Sequence, residues 1–312
     1  MEVRMICYRC RKEFLPGAVK QHGLHESCFR ENFALAEHTD FLDIVVKNAA
    51  SRERDKKASD DQFARINFSF FHGKFKKYSA NLNGVSYILK VKDANFPELP
   101  GVEYLSNQLA ESVKIMVPDF YFIKFEDQLE TFMTRNFMQD FQPANLVHIY
   151  NFFEKEANFN CQNLIRIIEE KTGRLNDIER FVEITLFDSL IGNHDRHGRN
   201  LALIQTKKGY QLSPFYDNPS QLGVEEEAFL GAHLEPRGKI ATEHTDEPTM
   251  KDYVAEFKRL EYGEVVKKFF NRIRLDEMFE LIGKAFISDK RKKGIRALME
   301  RRYKELENNV GN

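Results

Sequence analysis

The stretch LIGNHDRHGRNLALI, residues 190–204, sets two histidines, two arginines, an aspartate and two asparagines between two apolar runs. Asp195 and Asn200 stand five positions apart in it, and Asp217 follows 17 residues beyond Asn200, in LSPFYDNPS. That spacing suits one kind of chemistry: an aspartate meets an attacking hydroxyl while an amide oxygen reaches a metal on the far side of a phosphate, and a second carboxylate completes the ligands. Carboxylate and amide oxygens favour a hard cation, so magnesium is the natural ion for Asn200 and Asp217. Upstream, Lys90 in the strand-like YILKV is placed to hold phosphates, and Glu103, in the first turn of an expected helix, to pair with it.

Each residue alone has a plainer explanation. Asp and Asn are common turn formers, a strand lysine is usually solvated, and an acid in a helix's first turn is favoured by the dipole. Taken together, the order strand lysine, helix glutamate, D-x-x-x-x-N, aspartate is the order found in protein kinases. A competing reading makes His194, Asp195 and His197 ligands of a hydrolytic metal centre, although side chains this close on one loop seldom converge on one ion.

These residues need elements to hold them. The helix expected over 177–191, with Ile178, Phe181, Val182, Phe187 and Leu190 apolar, stops at Gly192, and the apolar run 201–204 reads as a strand; the loop between is anchored at both ends. Residues 63–137 carry strand signals at 64–71, a Gly73 turn, 77–82, an Asn83-Gly84 hairpin, 85–91, 119–125 and 130–137. One helix interrupts them, with Val102, Leu105, Leu109, Val113 and Met116 at helical spacing between Pro100 and Pro118. After 140 the pattern turns helical. The layout is α+β: a small antiparallel-sheet lobe at 63–140, a larger helical lobe at 141–312, and a charged linker at 51–62 behind an N-terminal segment, 1–50.

That N-terminal segment has chemistry of its own. Cys7 and Cys10 form a CxxC, His25 and Cys28 an HxxC, and two close pairs of borderline ligands are what a closed tetrahedral zinc site requires; His22 competes with His25. Four protein ligands leave no open position, so the zinc is expected to be structural. Cys161 stands apart as a bystander.

Composition narrows the rest. Lys+Arg of 47 against Asp+Glu of 48 leaves a net charge of −1, which excludes a global field toward nucleic acid or membrane. The basic run at 288–306 is interleaved with Glu300 and Glu305 and reads as a solvated helix face. No apolar run approaches a membrane span, no signal-peptide core is visible, and the cysteine layout is not a secreted framework, so a cytoplasmic location is expected, with secretion lacking a cleaved signal left open.

In GKFKKYSANL, PELPGVEYLSNQLAESVKIMVP, LIGNHDRHGRNLALI and LSPFYDNPS the chain resembles the HipA-like serine/threonine kinases, from about residue 63 to at least 220. The resemblance implies a two-lobed protein-kinase-like fold and an ATP- and magnesium-dependent enzyme. It implies that Asp195 orients or deprotonates the substrate hydroxyl, that Lys90 and Glu103 complete the catalytic set, and that Asn200 and Asp217 bind the metal. It also implies nucleotide contacts from the glycine loop (Gly73, Lys77), from the segment Met133, Arg135 and Phe137 beside the adenine, and from His197, which supports its loop. A protein substrate such as an aminoacyl-tRNA synthetase or another translation factor, and an antitoxin partner, follow by the same analogy. Phe70 and His72 stand before Gly73 where relatives often carry a self-phosphorylated serine, so that switch is expected to be missing, with Ser69 and Ser79 nearby. The alternatives are a catalytically weak pseudokinase-like binding module, a metal-dependent phosphohydrolase and a lipid kinase.

Overall fold

The computed structural model describes residues 6–46, 76–126, 128–153, 159–223 and 235–311. The expected strand at 64–71, the linker 51–62, Gly73 and its neighbours Ser69, Phe70 and His72 lie outside the described residues.

A small N-terminal unit folds around the two-residue strands β1 (Lys20–Gln21) and β2 (Leu24–His25) and the helix α1 (Glu26–Asn32). Five antiparallel strands follow: β3 (Leu42–Val46), β4 (Lys76–Leu82), β5 (Val85–Val91), β6 (Phe120–Phe125) and β7 (Leu129–Arg135), in the order β3-β4-β5-β7-β6. The first strand of that sheet therefore comes from the segment that composition set apart. Asn83 and Gly84 both take positive φ (51° and 78°) at the β4–β5 turn, which two-residue hairpins with the right twist demand.

Alternation along the strands gives the sheet two different faces. Tyr78, Ala80 and Leu82 of β4, Tyr87, Leu89 and Val91 of β5, and Met133 of β7 form one core with Cys7, Leu24, Cys28, Phe29 and Phe41 of the N-terminal unit. Lys77, Ile88, Lys90, Phe132 and Thr134 line a cleft on the other face.

The interrupting helix α2 (Leu99–Ser112) takes Pro100 into its first turn instead of starting behind it, because a proline there gives up only an N–H that has no partner. It ends at Ser112, and the chain reverses at Lys114 (φ 63°); Met116, expected on the helix's apolar stripe, lies beyond it and is 54% exposed. Glu103 accordingly falls in the second turn, not the first. Val102, Leu105 and Leu109 join the core of the larger lobe, so α2 belongs as much to that lobe as to the sheet.

The larger lobe holds β8 (Asn145–His148), α3 (Cys161–Thr172), α4 (Leu175–Ile191), β9 (Ala202–Thr206), β10 (Gly209–Leu212), α5 (Met250–Arg259), α6 (Gly263–Arg272), α7 (Leu275–Lys284) and α8 (Asp289–Val310). The strands β8, β9 and β10 form an antiparallel sheet in the order β10-β9-β8; β8, short and partly polar, sits inside a region whose sequence reads as helical. Almost every apolar residue of α4 is buried, making it the lobe's central helix. It ends at Gly192 with φ 70°, a left-handed conformation that favours glycine, and a Cβ there would press on Leu298 Cδ2 at 2.6 Å. The basic run heads α8, but Arg291 and Arg302 turn inward: Arg291 bonds Glu98 and the Leu222 carbonyl, and Arg302 bonds Glu305 and the Pro236 carbonyl. The solvated-face reading therefore holds only for its other basic residues. Cys161 is fully buried in the helical core, and no described helix is long and apolar enough to cross a membrane.

Candidate active site and metal centre

The cleft between the sheet and the larger lobe has a volume of about 290 Å³ and brings together Lys77, Lys90, Glu103, Arg135, Phe137 and Asp217. Lys77 and Lys90 are register partners on β4 and β5, so two like charges stand side by side on its roof. Carboxylates offset them: the Lys90 ammonium donates to both Glu103 Oε1 and Asp217 Oδ1. Burial works against the charge on Lys90, yet Asp217 and Glu103 outweigh it and raise its pKa. Burial likewise opposes ionisation of Asp217, but Lys90 with help from Lys77 holds its carboxyl well below the usual carboxylate range. Glu103, 1% exposed and with Oε2 unpartnered, is pushed up by burial, with Asp217 adding, against the pull of Lys90. One lysine thus serves two acids, and Asp217 holds the firmer claim.

That sharing makes Lys90 structurally expensive to remove. Lys90→Met is expected to destabilise the fold by about 3–5 kcal/mol, because Glu103 is left as an uncompensated buried acid and Asp217 loses its cation, and Lys90→Met combined with Glu103→Leu should recover the part of the loss that belongs to Glu103. Urea unfolding of the two variants checks this; equal midpoints would show that the acid is not stranded.

The loop after Gly192 is a hydrogen-bonded knot. Asn193 accepts from the Asp195 N–H (2.9 Å) and donates to Asp188 Oδ1 (2.9 Å), while Asn200 Nδ2 donates to the Asp195 carbonyl (2.9 Å) and to its Oδ2 (3.3 Å). Arg196 lies 1% exposed beneath them. Its Nε and Nη2 clasp both oxygens of Asp188 (2.7 and 3.0 Å), Nη1 donates to the carbonyls of Asn200 and Tyr216 (2.9 Å each), and Nη2 also reaches Asn218 Oδ1 (2.6 Å). Asn218 in turn donates to Asn107 Oδ1 of α2 (3.1 Å). Tyr216 donates to the Arg199 carbonyl (3.0 Å) and stacks on Phe137 across the cleft, ring centroids 5.9 Å apart.

His197 is buried beside this knot, its Nδ1 accepting from the Arg199 N–H (3.0 Å) and its Nε2 lying 3.9 Å from Asp195 Oδ2 without a hydrogen-bond partner. Burial pushes its pKa down from 6.5 to about 3, Asp217 opposing, so the ring is neutral in the fold. The unfolded chain takes up the proton first, so the contribution of His197 is complete above about pH 6.5 and is lost as pH falls from there toward 3. Stability should drop by about 2 kcal/mol between pH 6.5 and 5 through this group alone. Denaturant midpoints for the protein and His197→Gln over that range measure it; parallel pH dependences would contradict it.

Not all expected site residues share one surface. Asp195, Asn200 and His197 lie beside the cleft and do not line it. Met133 points away from it, into the core behind the sheet, because it alternates with Phe132 and Thr134; its side chain cannot meet a nucleotide base there. His194, Asp195 and His197 do not converge either: the His194 ring turns to the Arg237 carbonyl, and among the described residues the Cys/His cluster is the one group of three or more metal-ligating side chains. Arg196, Asp188, Asn107 and Asn218 escaped the sequence reading. One signal was available: Asp188 and Arg196 are unlike charges within an apolar helix and the loop it feeds.

At the N-terminus the ligand atoms of Cys7, Cys10, His25 and Cys28 all lie within 4.8 Å of one another. Cys10 Sγ is 3.4 Å and Cys28 Sγ 3.9 Å from His25 Nδ1, close to the edges, about 3.5–3.8 Å, of a tetrahedron with zinc bond lengths. Burial would raise the Cys7 thiol, but N–H groups of Cys10, His25 and Arg9 lower it to about 7, whereas burial and the neighbouring sulfurs of Cys10 and Cys7 push Cys28 up to about 11, a crowding of sulfurs that a cation would relieve. The set fits zinc. His22 stands outside it, its ring taken by the Lys124 carbonyl (2.9 Å) and Asp40 (2.6 Å). The unit docks on both lobes: Tyr8 packs on Phe122 of β6 (5.0 Å) and on Phe286 (4.7 Å), and Arg11 caps the Phe286 ring at 3.7 Å.

Comparison with known proteins places this arrangement. The profile of the HipA-like C-terminal domain matches residues 43–286. The crystal structure of a Helicobacter pylori proinflammatory kinase, CtkA, superposes with a TM-score of 0.63 at 15% identity, over 75% of this chain and 92% of that one. A chain of the Shewanella oneidensis MR-1 toxin-antitoxin complex of HipA, HipB and operator DNA superposes with a TM-score of 0.53 at 14% identity, over 86% and 72%. No curated protein sequence matches the chain. At these identities the structural likeness is one of fold, a mixed helix-and-sheet kinase-like architecture, and the profile covers well over half of the sequence. The chain belongs to the family of the HipA-like C-terminal domain.

Proposed function

We propose that the chain is an ATP- and magnesium-dependent protein kinase of the HipA type, transferring the γ-phosphate to a serine or threonine hydroxyl. The observation that carries this reading is the meeting of Lys90, Glu103 and Asp217 in one cleft, with the Asp195 and Asn200 loop bonded to the Asp217 loop through Arg196. Lys77 and Lys90 receive the phosphates, and the Phe137 and Tyr216 rings supply an apolar wall for the base.

The chemistry magnesium would supply here is neutralisation of the phosphate charge. Two hard oxygens suit it: the ionised Asp217, and Asn200 Oδ1, which is left available because Nδ2 is committed to Asp195. With Asp217 holding a metal, Lys90 would keep its bond to Glu103 and have donors to offer the phosphates. Asp195 accepts the proton of the attacking hydroxyl as its oxygen bonds to phosphorus and the bond to the ADP oxygen breaks. An antitoxin-like protein partner belongs to the same reading, since HipA stands with HipB in the Shewanella complex.

Calorimetric titration with ATP tests the nucleotide half of the proposal. Binding is expected with magnesium and should weaken at least about ten-fold in Asp217→Asn; an absence of binding under both conditions would overturn the reading.

A further inference from the structure

Arginine donates five N–H groups in a rigid fork, and burying one is tolerable when all five are answered. Every donor of Arg196 is answered, and the acceptors fall on three separate segments: Asp188 on α4, the Asn200 carbonyl on the loop after it, and the Tyr216 carbonyl and Asn218 side chain on either side of Asp217. Asn218, fully buried, carries the connection to Asn107 on α2, whose own Nδ2 donates to the Glu103 carbonyl at 2.8 Å.

We propose that Arg196 is a positioning residue that sets the register between the Asn200 loop and the Asp217 loop, and so the spacing of the two side chains that would hold the metal. The inference rests on the proposed kinase reading. A packing role alone would not explain why the fork spans these segments: Asp188 by itself satisfies only two donors, and the other three go to the peptide carbonyls and amide that flank the two metal-binding side chains. The relay also links the metal loop to the helix of Glu103, so the two halves of the cleft share one hydrogen-bonded frame. Lysine keeps the charge beside Asp188 but is a compact donor that cannot span five acceptors in a plane.

The test compares the full-length protein with Arg196→Lys and Asn218→Ala, measuring phosphoryl transfer against magnesium concentration and ATP binding without magnesium. Half-saturating magnesium should rise at least about ten-fold in both variants, while metal-free ATP affinity stays within about two-fold. Loss of packing alone would lower the melting temperature without that split. Should Arg196→Lys fail to fold, Asn218→Ala keeps the Asp188 pair and gives the same readout. A folded variant with unchanged magnesium dependence overturns the inference while the kinase reading stands. A wild-type protein with no magnesium-dependent ATP binding overturns the kinase reading, and this inference with it.

Discussion

Asp195→Asn is expected to slow phosphoryl transfer by about a thousand-fold while leaving nucleotide binding and folding nearly intact. The bonds that shape the loop explain the second half: Asn193 holds the Asp195 N–H, Asn200 holds its carbonyl, and an asparagine of the same size keeps both. The side chain does not line the cleft, so ATP should stabilise the variant and the wild-type protein alike. What disappears is the proton acceptor, and a positioned base contributes about 10²–10⁴ in rate. Transfer rates at saturating magnesium and ATP check the first half, and thermal shifts with ATP the second. A variant within ten-fold of wild type would remove Asp195 from the chemistry.

Removing zinc is expected to have the largest effect on structure. Binding at sites of this composition supplies on the order of 10 kcal/mol, and here it would hold a unit with very short strands and a seven-residue helix. Leu24, Phe29 and Phe41 of that unit complete the core over Tyr78, Tyr87 and Leu89, so its release would bare one whole face of the sheet. Tyr8 and Arg11 would also leave Phe286, which packs against Phe122 and Tyr104. Chelation under reducing conditions, or Cys10→Ser, should therefore lower the melting temperature, produce dye-accessible apolar surface and release one zinc per chain. A metal-free protein with an unchanged melting curve would contradict the account of the cluster.

The residues that were legible are those whose evidence is local. The Asn83-Gly84 turn needs two positive φ angles that few residues accept, the end of α4 needs a glycine, and the CxxC pair with a nearby HxxC marks a candidate metal cluster by spacing, though it leaves His22 and His25 in competition. Long-range geometry stayed hidden. In LETFMTR both Phe132 and Met133 are apolar and buried, one toward the cleft and one toward the core behind, so alternation gives no sign of which faces the site. The same limit explains β8, four residues whose only reason to be a strand is β9, and the edge strand β3, whose partner β4 lies some thirty residues on. Arg196 is visible as a residue but not as a hub, because its acceptors lie on three segments brought together only by the fold, and two of them are peptide carbonyls, which every sequence has.

The central claim is that this cleft transfers a phosphoryl group. The most direct measurement is incubation of the purified protein with γ-labelled ATP and magnesium, alone and with a cell lysate, followed by phosphoamino-acid analysis of the labelled product. The account predicts label on serine or threonine that depends on magnesium and is lost in Asp195→Asn. Label that persists in Asp195→Asn, or its absence from every protein despite magnesium-dependent ATP binding, would contradict it.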